Sequence, residues 1–226
     1  MNVDIYIGVI QFIVLLLSLS IHESAHAWTA DQLGDPTARY LGRVSLNPMV
    51  HADPVGTILF PLIGMFSGIM FGWAKPVPVN VSRLRNPTRD HMLVAAAGPA
   101  SNFLIAFVLF VVLMIMKAIS PEAATTIRQV AFYQFFSGDS ILLPLTAVAF
   151  QGIMINLVLA VFNLIPVAPL DGAAVLSGLL PRSFAGVFDQ LQSYGFVLLL
   201  GLLFLGVPAM LYMPVISFVR SFLISI

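Results

Sequence analysis

The pentapeptide His22-Glu23-Ser24-Ala25-His26 closes a largely apolar run that begins at Ile5. A run of that length predicts a helix able to cross a hydrocarbon core of about 30 Å. A helix places residues four apart on one face, so His22 and His26 can grip one metal ion. Glu23, one position from a ligand, is free to act on an attacking water. The alternative is a pair of histidines that only pack between helices, but ionisable groups inside a span are costly and mark function.

The rest of the chain has the composition of a membrane protein. Of its 226 residues, 59% are hydrophobic and 9% charged, against roughly 25% charged in a soluble domain. The net charge is zero, so no basic surface points to nucleic acid. Cysteine is absent, which leaves His, Asp and Glu as the strong metal ligands. Residues 1–226 read as a single membrane-embedded domain. Met1–Asp4 carries no Lys or Arg and the apolar pattern runs on into the histidines, which argues against a cleaved signal peptide.

Four segments have spanning length: Ile5–Ile21 continuing through the histidines, Met92–Met116, Ile141–Ile165 and Phe196–Met213. Pro214 is expected to separate the last from Val215–Ile226, which lies in the interface or makes a short further crossing. A fifth apolar stretch, Val55–Gly72, is interrupted by Gly56, Pro61, Gly64 and Gly68. Its behaviour follows from where a third ligand is found. His22 lies about 25 Å along the helix from Ile5, and Asp171 follows the end of Ile141–Ile165. For the three to share one ion, the first and third spans must run in the same direction with an odd number of crossings between them. Met92–Met116 supplies one, so Val55–Gly72 should be a re-entrant hairpin buried against protein. Six of the ten basic residues (Arg39, Arg43, Lys75, Arg83, Arg85, Arg89) flank it, which makes that side cytoplasmic and puts the metal site near the cytoplasmic face.

Zinc catalysis uses three protein ligands and one open position. Outside the pentapeptide, most carboxylates fall in loops or at the wrong depth. Asp171 stands at the end of a span on the right side, after Pro166 and Pro169 and before Gly172. Its alternative role is an ordinary helix cap. With both pieces in view, the chain resembles the site-2 protease family of intramembrane zinc metalloproteases, in a short form without a soluble regulatory domain. His22-Glu23-Ser24-Ala25-His26 matches the family's first motif, and Leu170-Asp171-Gly172 within Asn163–Gly172 its second. Ala97-Gly98-Pro99-Ala100-Ser101-Asn102 resembles its small-residue motif. The resemblance implies one zinc per chain held by His22, His26 and Asp171, with Glu23 as the catalytic residue. It also implies a multi-pass protein of the cell membrane that hydrolyses peptide bonds in or near transmembrane segments of other proteins.

Asn163 is a candidate donor to the substrate backbone or the developing oxyanion, as the resemblance also suggests, or else a helix-packing amide. Leu41–Leu46 and Lys75–Val81 have strand-like character, with Val77 and Val79 alternating around prolines, and position near the site together with the resemblance suggests that one of them offers a strand edge to an extended substrate. The small residues Ala95–Ser101 let their helix approach the histidines closely, and Asn102 is placed to hydrogen-bond across helices. His51 and Asp53 read as an interfacial pair, or as a support or accessory metal site. The expected fold is an all-α polytopic membrane protein with about four to five transmembrane helices, a re-entrant segment and short β-strands. Two other functions compete: a metal or proton transporter, and a pseudoprotease that binds membrane helices without cutting them.

Overall fold

The computed structural model describes residues 3–67, 72–132 and 142–225. Helix α1 (Val3–Gln32) carries the pentapeptide in its second half. Short helices α2 (Thr37–Tyr40) and α3 (Pro48–His51) follow, then a π-helical turn Pro54–Leu59 running into α4 (Phe60–Ser67). Helix α5 (Pro87–Ile119) leads to α6 (Pro121–Ala131), and α7 (Leu142–Asn163) to α8 (Asp171–Leu179). Helices α9 (Arg182–Gln192), α10 (Gly195–Phe204) and α11 (Val207–Ile224) complete the order. Ile5–Gln32, α5, α7 and α11 are each long and apolar enough to cross a membrane, and the bent pair 186–192 with α10 makes a fifth if counted as one span. The protein is a multi-pass membrane protein.

Side-chain pairs fix the direction of the spans. Gln11 donates to Gln151 at 3.2 Å, and farther along both helices Asn156 donates to Ser18 at 2.8 Å, so α1 and α7 run parallel. Against α5 the order reverses: His22 meets Asn102 and His26 meets the Val94 carbonyl, so α5 is antiparallel to α1. Between them lies a core of Ile10 and Val14 from α1, Ala106 and Leu113 from α5, Ile127 and Val130 from α6, Phe150 and Ile153 from α7, and Leu223 from α11. Lys117, at the end of α5, caps the end of α11 through the carbonyls of Phe222, Leu223 and Ser225 at 2.8–3.2 Å. A cation among the last carbonyls of a helix satisfies acceptors that have no intrahelical partner.

Val55–Gly72 behaves as a hairpin, with residues 68–71 outside the described ones. Trp73 N–H donates to Gly56 O at 3.1 Å, Thr57 Oγ1 donates to Trp73 O at 2.8 Å, and Lys75 N–H donates to His51 O at 2.8 Å. The excursion therefore ends where it began. Its far part rests on α1, where a Cβ on Gly8 would lie 2.2 Å from Met65 Cγ. Gly8 is about 20 Å along α1 from His22.

Two sequence expectations are corrected. No β-strand occurs among the described residues. Around Leu41–Leu46 the chain turns, with Gly42 at φ 68° and Arg43 N–H donating to Ala38 O. In Lys75–Val81 the donors of Lys75, Val77 and Asn80 go to His51 O, Glu23 and Asp35, while Pro76 and Pro78 have none to give. With these three donors committed and two prolines in the run, the segment forms no ladder among the described residues. The expected span Phe196–Met213 is also broken, at Gly206 in the left-handed region (φ 70°), and α11 runs on through Pro214.

Candidate active site

His22 and His26 sit on one face of α1, and both are buried. Their Nε2 atoms are 3.0 Å apart. Asp171, the first residue of α8, places Oδ2 3.1 Å from His22 Nε2 and Oδ1 3.3 Å from His26 Nε2. The N-cap position of α8 belongs to Leu170, so the Asp171 carboxylate is turned to the imidazoles rather than used as a cap. Glycines make this convergence possible. A Cβ on Gly172 would lie 2.3 and 2.4 Å from the carbonyl oxygens of Leu164 and Ile165, so α8 starts directly against the end of α7. A Cβ on Gly98 would lie 2.4 Å from His26 Nε2, so α5 passes the imidazoles at backbone distance.

The outer nitrogens decide what the inner ones carry. His26 Nδ1 lies 2.7 Å from Val94 O, which only accepts, so Nδ1 is the donor. Asn102 spends its amide nitrogen on Asn156 Oδ1 at 2.8 Å and turns Oδ1 to His22 Nδ1 at 2.6 Å, so that Nδ1 also donates. In neutral rings both Nε2 atoms then point bare lone pairs at each other and at a carboxylate, and buried Asp171 Oδ2 has no donor. This set of acceptors calls for a cation. The Nε2 atoms stand 3.0 Å apart and each lies 3.1–3.3 Å from one of the two carboxylate oxygens, the scale of ligand separations around an ion bound at about 2.0 Å. The residues fit zinc.

Glu23 stands beside the cluster, with ligand atoms of His22, Glu23 and His26 all within 4.8 Å of one another. Its Oε2 accepts from Val77 N–H at 2.9 Å. Asn163 is on the last turn of α7 and donates to Leu159 O within its own helix at 2.9 Å. His51 is buried with Nε2 2.7 Å from Ser45 O, and burial holds its imidazole below the usual histidine range. Ser24, inside the pentapeptide, donates to the same Ser45 carbonyl. Asp53 caps the π-helical turn by accepting from Val55 and Gly56 N–H, so it plays a local part away from His51.

Sequence reasoning missed Asn156 and Ser18, both buried, which extend the hydrogen-bond chain from His22 through Asn102 into α7 and back to α1. A signal for Ser18 was present. Gln11, Ser18, His22 and His26 are spaced by seven, four and four, a polar stripe on one face of the helix that leads to both histidines.

Residues 10–205 match peptidase family M50. The chain is 36% identical over 214 residues to YwhC of Bacillus subtilis (strain 168), named as a zinc metalloprotease, covering 95% of this chain and 89% of that protein. It is 28% identical over 201 residues to Rip2 of Mycolicibacterium smegmatis, named likewise, covering 88% of this chain and 68% of that protein. No solved structure matches the chain. With a metal-binding cluster of His22, Glu23 and His26 set in a membrane-crossing helix, the chain belongs to peptidase family M50 and is an intramembrane zinc metalloprotease.

Proposed function

We propose that this protease cuts membrane-spanning segments of other proteins where they meet the cytoplasmic face, with residues 1–226 acting as one catalytic domain. The observation that carries this reading is the convergence of His22, His26 and Asp171 on one point at the ends of two parallel spans. Lys75, Arg83, Arg85 and Arg89 are exposed on the side of the site, and basic flanks of that kind belong to the cytoplasm.

In this reading His22, His26 and Asp171 are the zinc ligands and Glu23 is the catalytic acid–base. Bound by these three side chains, zinc would supply Lewis acidity that polarises the scissile carbonyl and makes water nucleophilic near neutral pH. Glu23 takes the proton from the attacking water and passes it to the leaving amine. Asn163 supplies a donor to the substrate backbone by exchanging its bond to Leu159 O. A helical substrate hides its peptide bonds behind its own hydrogen bonds, so it must unwind locally before Glu23 can act on it.

Comparative membrane proteomics of cells carrying wild type or Glu23→Gln tests the reading. Intact membrane-spanning proteins should accumulate only with Glu23→Gln. Identical membrane proteomes, with zinc bound to both proteins, would contradict it.

A further inference from the structure

Glu23 is held by a backbone amide, and the segment that supplies this amide is gripped from several sides. Pro76 and Pro78 have no N–H, so Val77 carries the single donor of that triplet, and it lies 2.9 Å from Glu23 Oε2. Upstream, Lys75 N–H is fixed on His51 O at 2.8 Å. The guanidinium of Arg43 donates to the carbonyl of Lys75 and, at 3.3 Å, to that of Pro76. Downstream, Asn80 N–H donates to Asp35 Oδ2 at 2.6 Å, and Asp35 is fully buried. Arg43 is only 6% exposed and makes no ion pair among the described residues. A buried cation whose partners are two backbone carbonyls is expensive to keep, and what it fixes is the residue pair leading into Val77.

We propose that Val77 N–H is a positioning group for Glu23, and that Arg43 is the positioning residue that aims it. The proposal rests on Glu23 being the acid–base. An untethered carboxylate rotates and presents either oxygen in a range of directions. With Oε2 tied to Val77, the carboxylate beside the cluster is restricted to orientations that keep this bond, and Oε1 is left to accept a proton from water. The two prolines limit the backbone freedom that this tether would otherwise have to overcome. The same bond removes Val77 N–H from any pairing with substrate, so the segment serves the base.

The test uses the full chain in nanodiscs and a quenched-fluorescent peptide with a glycine-interrupted apolar segment. Exchanging Val77 for its α-hydroxy acid replaces one N–H by an ester oxygen and leaves the side chain intact. A hydrogen bond to a charged group accounts for roughly 10- to 100-fold, so kcat should fall by about that factor while KM and bound zinc stay unchanged. The same exchange at Val79 should leave kcat unaltered. Arg43→Gln should lose kcat likewise, and joining it to the Val77 ester should add less than about two-fold, since both act through one bond. A Val77 ester with wild-type kcat, beside an inactive Glu23→Gln, overturns the proposal and leaves the reading of Glu23 standing. Activity in Glu23→Gln overturns both. Loss of zinc from the Val77 ester also overturns it, because the segment would then support the metal rather than the base. Additive losses overturn the part assigned to Arg43.

Discussion

His22 depends on a partner that touches nothing in the reaction. Asn102 accepts from His22 Nδ1, is itself held by Asn156, and is completely buried. Outer partners of ligating histidines fix ring orientation and tautomer, and their loss weakens metal binding by about 10- to 100-fold. Asn102→Ala should show that loss in a chelator competition, and an unchanged affinity would mean that His22 is oriented by packing alone. Glu23→Gln and Asp171→Asn should separate in the opposite way. The first keeps zinc and loses cleavage by about 10²–10⁴-fold, whereas the second loses zinc, as metal analysis of the purified proteins will show. The pentapeptide was legible in the sequence because i, i+4 spacing is local. Asp171 needed the direction of two spans as well. Asn156 stayed hidden because it is a lone amide in an apolar run, and its partner Ser18 lies 138 positions away.

Element contacts at the site run through glycine. Gly172→Ala would press a methyl group into the Leu164 and Ile165 carbonyls, backbone atoms that cannot move aside cheaply. It should push α8 off the end of α7, draw Asp171 from the imidazoles and cost about 1–3 kcal/mol of stability. Zinc content and thermal unfolding in detergent check both effects; full zinc with an unchanged melting temperature would contradict them. Helix existence was readable from apolar length, which gives no place for a helix break. Within Phe196–Met213 the apolar run masks the break, although Gly206 followed by Pro208 is the local signal of one helix ending and another beginning. Strand character in Lys75–Val81 was read from β-branched valines alternating with prolines. The pattern is real, but the amide hydrogens of Lys75, Val77 and Asn80 are spent on His51 O, Glu23 and Asp35, and no strand forms there among the described residues.

For the whole molecule, the decisive relation is that α1 and α7 run parallel while α5 returns between them, which brings His22 and Asp171, 149 positions apart in sequence by their numbers, to one depth. The chain between Gly56 and Trp73 makes this possible by returning to its starting level, where Trp73 N–H donates to Gly56 O. The absence of cysteine allows a clean test of sidedness. Ser82→Cys, exposed on the side of the site, should react with a membrane-impermeant maleimide only after the cytoplasmic face is opened. Thr125→Cys, exposed on α6, should react in intact cells. The reverse pattern would invert the topology. The most direct test of the convergence is zinc K-edge X-ray absorption on purified wild type and Asp171→Asn. One zinc per chain with two imidazoles and a carboxylate oxygen, and loss or rearrangement of that shell in Asp171→Asn, is the expected result; an identical shell in both proteins would contradict the account.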